Sequence, residues 1–307
     1  MISGNNARKI QGVMPALITP LHADQSVNVN TLRKQVNRFL DSGVHGLYVL
    51  GTTGEFYALC TNDKLLIAQT VINEANGRLP VHVGVGGNST EDVIRMSRNM
   101  ADLGADVLSV ITPYFMKFTQ AELLNHYERI AEGSSLPILL YNIPLFTQNI
   151  LEPDTVKTLS SHSNIIGIKD TSGNMDLTTS YINYAGPEFS VLGGTDSQWL
   201  DVLKAGGDGA ISALTNLVPT LFVEIYRSYM SGEREKAEHL QQLIQPLHEA
   251  TGKATIPAAL KYLMHSAGFE VGEPKLPALP VDNELAQALT IVVEDYRDYL
   301  YIYHNKG

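Results

Sequence analysis

Short apolar runs rich in β-branched residues alternate along the chain with longer segments in which apolar residues recur at helical spacing. Between 20 and 34 residues separate the starts of successive runs, which is enough for one strand, one helix and two loops. Because the runs are apolar on both faces, they are typical of buried parallel strands. The eight predicted strands cover residues 13–20, 46–51, 80–87, 105–113, 137–144, 164–172, 189–196 and 209–214.

The segments between the predicted strands carry residues that commonly begin and end helices. Eight strand–helix units in succession predict a (β/α)8 TIM barrel. A doubly wound sheet is the alternative, but that fold more often has a glycine-rich dinucleotide loop after its first strand, where this chain has TPLHADQS. The predicted helix starts and stops are Thr61 or Asn62 with Gly77, Ser89 with Gly104, and Thr119 with Gly133.

From about residue 217 onward, the pattern predicts helix after helix as far as Tyr303. We expect residues 1–232 to form the barrel and residues 233–307 to form a C-terminal helical extension packed on it. Prolines at positions 274, 277 and 280 predict an irregular connector within the extension. No tract is long enough to act as a linker between independent domains.

Composition excludes several classes of function. With 22 Lys and Arg against 32 Asp and Glu, the net charge of −10 argues against nucleic acid or an anionic membrane as a partner. Cys60 is the single cysteine, which excludes an internal disulfide. The first residues, MISGNNARK, lack a secretory signal, and no apolar run reaches the roughly 18 residues of a membrane helix. We therefore expect a cytoplasmic protein with a small-molecule partner.

Lys169 follows four residues of an apolar strand pattern, Ile165 to Ile168. Catalytic groups of TIM barrels lie at the carboxyl ends of the strands, where this residue is predicted to lie. Burial favours the neutral amine of a lysine, which is a nucleophile. The alternative is a side chain that reaches solvent or pairs with Asp170. Position alone leaves the two interpretations open.

Two further strand ends carry polar groups. Gly51-Thr52-Thr53-Gly54-Glu55 follows the second predicted strand, and its amides and hydroxyls suit a carboxylate or an oxyanion. A turn whose threonines bond only to its own backbone is the alternative. Tyr141 ends the fifth strand, where its phenol could move a proton or simply pack.

After the seventh strand, Gly194 allows a ligand to approach the backbone closely, and Asp196 could accept a substrate hydroxyl or cap the next helix. The nine histidines show no HxH, HExxH or HxxxH spacing, so no metal site is predicted. The chain also lacks a phosphate-binding GxxxxGK[ST] loop, and GVGG at 84–87 is too short for a dinucleotide fingerprint.

Taken together and in this order, the motifs resemble those of the dihydrodipicolinate synthase / N-acetylneuraminate lyase family. The resemblance runs from about Ile10 through Pro280. It implies a pyruvate-dependent class I aldolase on a (β/α)8 barrel, which forms a covalent Schiff base and needs no other cofactor. The matching motifs are GTTGE at 51–55, ITPY at 111–114, YNIP at 141–144, GIKDTSG at 167–173 and GGDGAIS at 206–212.

The resemblance also implies a role for each matching residue. Lys169 corresponds to the lysine that condenses with pyruvate, and Tyr141 to the tyrosine that relays protons. Thr52 and Thr53 correspond to the pair that holds the pyruvate carboxylate, with Thr53 also linked to the tyrosine. Ile211 corresponds to a position that lines the pyruvate pocket.

Departures from the family pattern concern the second substrate. Dihydrodipicolinate synthases usually carry an arginine where this chain has Phe146, so a carboxylate clamp cannot form there. Their aromatic pair usually ends in tyrosine, whereas this chain has Phe115. Lysine-inhibited synthases carry histidines where Thr61 and Lys64 stand. All three differences weaken the synthase interpretation.

The same comparison leaves the substrate open within a class. Ser197 and Ala213 replace the Glu and Ser of neuraminate lyases, which puts two contacts to sialic acid in doubt. We expect cleavage or formation of a hydroxylated 2-keto acid, such as a 2-keto-3-deoxy sugar acid or sialic acid, with Thr171, Gly194 and Asp196 holding the hydroxyls. Alternatives are dihydrodipicolinate synthase, a 2-keto-3-deoxy acid dehydratase and a non-catalytic keto-acid sensor. The family favours a homotetramer, a dimer of dimers.

Overall fold

A computed structural model describes residues 9–184 and 186–300, and its described part contains eight parallel strands in one sheet. Neighbouring strands follow the order β1-β8-β7-β6-β5-β4-β3-β2. The strands are β1 (Gly12–Pro15), β2 (Leu47–Val49), β3 (Val81–Gly84), β4 (Val107–Ile111), β5 (Ile138–Asn142), β6 (Ile165–Asp170), β7 (Ser190–Gly193) and β8 (Gly209–Ser212).

Helices follow the strands and cover the sheet. Nine of them belong to the strand–helix units, and the last four form the C-terminal extension. They are α1 (Val29–Ser42), α2 (Thr61–Ala75), α3 (Thr90–Leu103), α4 (Gln120–Gly133), α5 (Pro144–Thr147), α6 (Pro153–Leu159), α7 (Met175–Tyr184), α8 (Trp199–Lys204), α9 (Pro219–Met230), α10 (Arg234–Gln242), α11 (Ile244–Thr251), α12 (Ala258–Ser266) and α13 (Asn283–Glu294).

The sheet closes between its first two strands. Ala16 and Tyr48 form a parallel bridge, and the Leu17 amide donates to the Tyr48 carbonyl at 2.8 Å. Closure confirms the predicted (β/α)8 barrel and shows that the doubly wound alternative is wrong. Side chains from seven of the strands or their immediate ends fill the interior, so the barrel is a packed core. They are Ile10, Met14, Ala16, Tyr48, Val107, Leu139, Ile166, Leu192 and Ile211.

Most of the predicted helix ends are confirmed. Ser89 caps α3 with Gly104 at its end in the left-handed region, and Thr119 caps α4. The start predicted for α2 is wrong, because the cap is Cys60, whose sulfur accepts the Asp63 amide, and Thr61 is already the first helical residue. A thiol is a weak acceptor, so it gives little sequence signal as a cap. The helix α4 ends at Gly133 as predicted, whereas the C-cap of α2 is Asn76, one residue before the predicted stop at Gly77.

The C-terminal extension packs against the last barrel helices through a shared apolar cluster. Trp199 and Phe222 stack with ring centroids 5.7 Å apart in this cluster, which also contains Leu247 and Leu263 from the extension. Residues 234–251, whose pattern predicts one helix, form two helices, α10 and α11, which are separated at Leu243. Residue 246 is a proline that has no N–H to continue the hydrogen-bond ladder. Residues 1–8 and Tyr303, for which we made predictions, lie outside the described residues.

Candidate active site

Lys169 lies at the carboxyl end of β6 with only 4% of its surface exposed. Its Nζ lies over the rings of Tyr48 and Tyr141, 4.8 and 4.3 Å from their centroids. Across residues 9–184 and 186–300, no carboxylate oxygen lies within 4.0 Å of this amine. The side chain therefore neither reaches solvent nor forms an ion pair within 4.0 Å, and the ring contacts together with the longer-range attraction of Asp196 offset part of its desolvation.

Asp170 does not pair with Lys169 because its carboxylate already has other donors. Asn142 Nδ2 donates to it at 2.9 Å, and the hydroxyls of Ser172 and Thr178 donate at 2.8 and 2.5 Å. Buried carboxylates are stable when several hydrogen bonds replace water. The network fixes the loop after β6, and the Asp170 carboxylate is not available to the lysine amine.

Tyr141 lies beside Lys169 in the sheet, since the two are register partners in β5 and β6. Its hydroxyl lies 3.2 Å from Thr52 Oγ1, within hydrogen-bonding distance. The expectation that Thr53 makes this link is wrong, because Thr52 makes it. Consecutive residues in a tight turn point their side chains in different directions, and the sequence does not show which one faces the tyrosine.

The turn of residues 51–55, called the Thr-Thr loop below, is held by its own backbone. The Gly54 amide donates to the Gly51 carbonyl at 3.1 Å, and the Glu55 amide donates to the Thr52 carbonyl at 3.0 Å. A Cβ on Gly54 would lie 2.9 Å from the Leu17 carbonyl oxygen, so glycine is required there. Within the described chain, the amides of residues 52 and 53 have no protein acceptor, which leaves them able to bind an anion.

Asp196 and Thr171 carry buried oxygen atoms without partners. Asp196 Oδ2 accepts the Leu214 amide at 3.3 Å, but Oδ1 has no protein donor, and neither does Thr171 Oγ1. Burial raises the pKa of the Asp196 carboxyl, an effect that Ser212, His248 and Lys169 oppose. Asp196 does not cap α8, whose N-cap residue makes no side-chain cap bond. The capping interpretation is therefore wrong, and the free atoms can serve a ligand.

One cavity of about 380 Å³ brings these groups together. The extension supplies part of its wall, which sequence reasoning missed because no local signal marks a contact between a late helix and the barrel mouth. Leu145 and Phe146 form an apolar side. The predicted site residues that line the cavity are Thr52, Thr53, Tyr141, Lys169, Thr171, Gly194, Asp196 and Ile211, and the extension adds His248, Thr251, Gly252, Ile256, Pro257 and Leu260.

The described residues contain no candidate metal site and no candidate membrane-spanning helix. No three His, Cys, Asp or Glu side chains among them are grouped so as to hold a metal ion. None of the helices in the same ranges is long and apolar enough to cross a bilayer.

Comparison with known proteins adds the family. The family model described as "Dihydrodipicolinate synthetase family" matches residues 9–295. The chain belongs to this family. It is 38% identical over 271 residues to the 4-hydroxy-tetrahydrodipicolinate synthase of Methanopyrus kandleri, covering 88% of this chain and 90% of that protein. The Methanocaldococcus jannaschii protein of the same name is 36% identical, with 93% and 98% covered.

Solved structures of the family include pyruvate complexes. YagE, a prophage protein of Escherichia coli K12 solved with pyruvate, is 33% identical with a TM-score of 0.89, covering 93% of this chain and 98% of that one. The chloride-inhibited dihydrodipicolinate synthase of Acinetobacter baumannii, also with pyruvate, is 31% identical with a TM-score of 0.92, covering 95% and 100%.

Membership establishes the class of activity. Enzymes of this family are pyruvate-dependent lyases that form a lysine Schiff base and use no external cofactor. The chain is therefore an enzyme of the lyase class, which does not favour the keto-acid sensor. The names of its relatives support the synthase alternative better than the sugar-acid or sialic-acid preference that the sequence favoured.

Proposed function

We propose that Lys169 is the Schiff-base residue of this enzyme, and that Tyr141 and the Thr-Thr loop complete its pyruvate site. The observation that carries the proposal is a buried amine with no carboxylate oxygen of the described chain within 4.0 Å. It lies beside a tyrosine that is within hydrogen-bonding distance of a threonine of that loop. A neutral amine in such a place can attack the C2 carbonyl of pyruvate and expel water.

The proposed roles follow from the chemistry of the iminium. Its positive nitrogen withdraws electrons from C3, so a methyl proton can leave and the resulting enamine can attack an aldehyde. In the reverse direction, the same nitrogen accepts the electron pair of a breaking C3–C4 bond. The Tyr141 hydroxyl would pass protons to and from the reacting carbon and the aldehyde oxygen. The amides and hydroxyls of Thr52 and Thr53 would bind the carboxylate.

We infer that the substrate is a hydroxylated 2-keto acid, which the enzyme cleaves to pyruvate and an aldehyde or forms from them. Thr171 Oγ1 and Asp196 Oδ1 are buried oxygen atoms without protein partners, and substrate hydroxyls would satisfy both. Gly194, whose Cβ would collide with Thr171, leaves room for such a chain. Phe146, which also lines the cavity, supplies no charge.

A second candidate, condensation of pyruvate with aspartate semialdehyde, is favoured by the relatives' names. It requires a cation for the semialdehyde carboxylate. Phe146 occupies the position of the usual arginine, and Lys117 is exposed and does not line the cavity. Losing a charged partner costs about 2–5 kcal/mol. The homotetramer and the cytoplasmic location stay predictions.

Side-by-side assays separate the two candidates. We expect kcat/KM for cleavage of a 2-keto-3-deoxy sugar acid or a sialic acid to exceed that for condensation with aspartate semialdehyde by at least about tenfold. A faster semialdehyde reaction would establish the synthase activity instead. Replacing Phe146 with arginine supplies the missing partner and should raise the semialdehyde rate selectively.

A further inference from the structure

A buried ion pair joins the C-terminal extension to the Thr-Thr loop. Lys261 Nζ in α12 lies 2.6 Å from Glu55 Oε2, and each side chain is only 1% exposed. Lys261 also donates to the Glu273 carbonyl at 2.9 Å, and the Lys275 amide donates to Glu55 Oε1 at 2.5 Å. The extension therefore holds the last residue of the loop at both carboxylate oxygens.

The loop depends on contacts from outside it, because the backbone is strained at Leu50, just before the loop, and at Glu55, its last residue. Leu50 and Glu55 both have a φ of 60°, in the left-handed region that side chains other than glycine rarely adopt. Such residues persist where their surroundings over-determine them. Glu55 bonds directly to the carbonyl of Thr52, the residue that contacts Tyr141, so a shift of its carboxylate would be transmitted to the pyruvate site.

We propose that Lys261 is a positioning residue, which fixes the Thr-Thr loop for pyruvate through its ion pair with Glu55. This inference rests on the proposed role of the loop in binding pyruvate. Lys261 itself does not line the cavity and acts through Glu55. The extension would thus be part of the catalytic apparatus, since it both walls the cavity and orders the carboxylate-binding loop.

The test measures the pyruvate concentration that gives half-maximal borohydride trapping, together with the maximal trapped fraction. Lys261→Met leaves Glu55 buried without its cation, and Glu55→Gln removes the anion instead. In each, we expect half-maximal trapping to need at least about tenfold more pyruvate, while the maximal trapped fraction stays that of the wild type. Because reversible unfolding would also raise the half-maximal pyruvate concentration, trapping is compared only under conditions where urea unfolding shows each variant to be fully folded.

Controls keep the result decisive. Lys236→Met removes an exposed lysine of the same extension, paired with Glu224, and should leave both values unchanged. If Lys261→Met does not fold, Glu55→Gln decides, because glutamine keeps the shape of the side chain and Lys261 can still donate to the Glu273 carbonyl. A folded variant with half-maximal trapping within twofold of wild type overturns the inference. Absence of trapping in the wild type would instead refute the proposed function.

Discussion

Gly194 is the position where one added methyl group should disturb the site most directly. It follows β7, and its amide donates to the Asp170 carbonyl at 2.7 Å, so its backbone cannot easily retreat. A Cβ there would lie 1.9 Å from Thr171 Oγ1 and 2.8 Å from Lys169 Cε. Gly194→Ala therefore forces the threonine to rotate and the lysine to move.

The expected magnitude follows from these contacts. Overpacking of this kind costs roughly 1–3 kcal/mol, which should lower Tm by about 2–5 °C. A displacement of the reacting group by about 1 Å can cost up to about a hundredfold, so we expect borohydride trapping at saturating pyruvate to slow by at least about tenfold.

Calorimetry and timed trapping followed by mass spectrometry measure both effects. Gly87→Ala is the matched control, because a Cβ there would lie 3.7 Å from Val93, an ordinary contact. Adding Thr171→Ala to Gly194→Ala removes the closest collision and should restore part of the stability. Wild-type Tm and trapping rate in the Gly194→Ala protein would refute this account of the packing around Lys169.

Two further predictions concern pH and regulation. Burial lowers the pKa of His82 from 6.5 to about 4, so the unfolded chain binds the proton more readily. The contribution of His82 to the free energy of unfolding should therefore be greatest above about pH 6.5. It should fall by up to about 3 kcal/mol as the pH drops to 4, which urea unfolding measures. Free lysine should not inhibit, because Lys64 places a cation in a separate cavity of about 470 Å³, which Thr61 also lines. Initial rates with millimolar lysine test this.

Controls for these two predictions use neighbouring groups. His82→Gln should reduce the pH dependence without abolishing it, because burial also lowers the pKa of His126 to about 4. His22→Gln, at an exposed position, should leave the pH dependence unchanged. Stability that holds or rises on acidification would contradict the first prediction. Inhibition of the wild-type enzyme by millimolar lysine would contradict the second and strengthen the synthase candidate.

Sequence patterns predicted the barrel because each buried strand is apolar on both faces and each helix begins and ends with local signals. Ser89 and Thr119 are such signals, since a hydroxyl caps a helix within its own first turn. The Cys60 cap was missed because sulfur is a weak acceptor, and the break near Leu243 depends on the backbone bond that Pro246 cannot make.

The site was predictable as far as strand ends carry unusual residues. Lys169 and Tyr141 interrupt apolar strands, so their positions at the barrel mouth followed from the strand pattern. Which threonine contacts the tyrosine depends on the rotation of the turn, and the burial of Lys261 against Glu55 depends on packing between segments about 200 residues apart. Neither has a local signature.

The central claim is that Lys169 forms the Schiff base with pyruvate. Incubation of the protein with pyruvate and borohydride, then peptide mass spectrometry, tests it most directly. The account predicts one stable adduct, on Lys169, and a Lys169→Ala protein that folds but traps nothing, because the substitution removes a buried amine without an ionic partner in the described chain. An adduct on another lysine, or none in the wild-type protein, would contradict it.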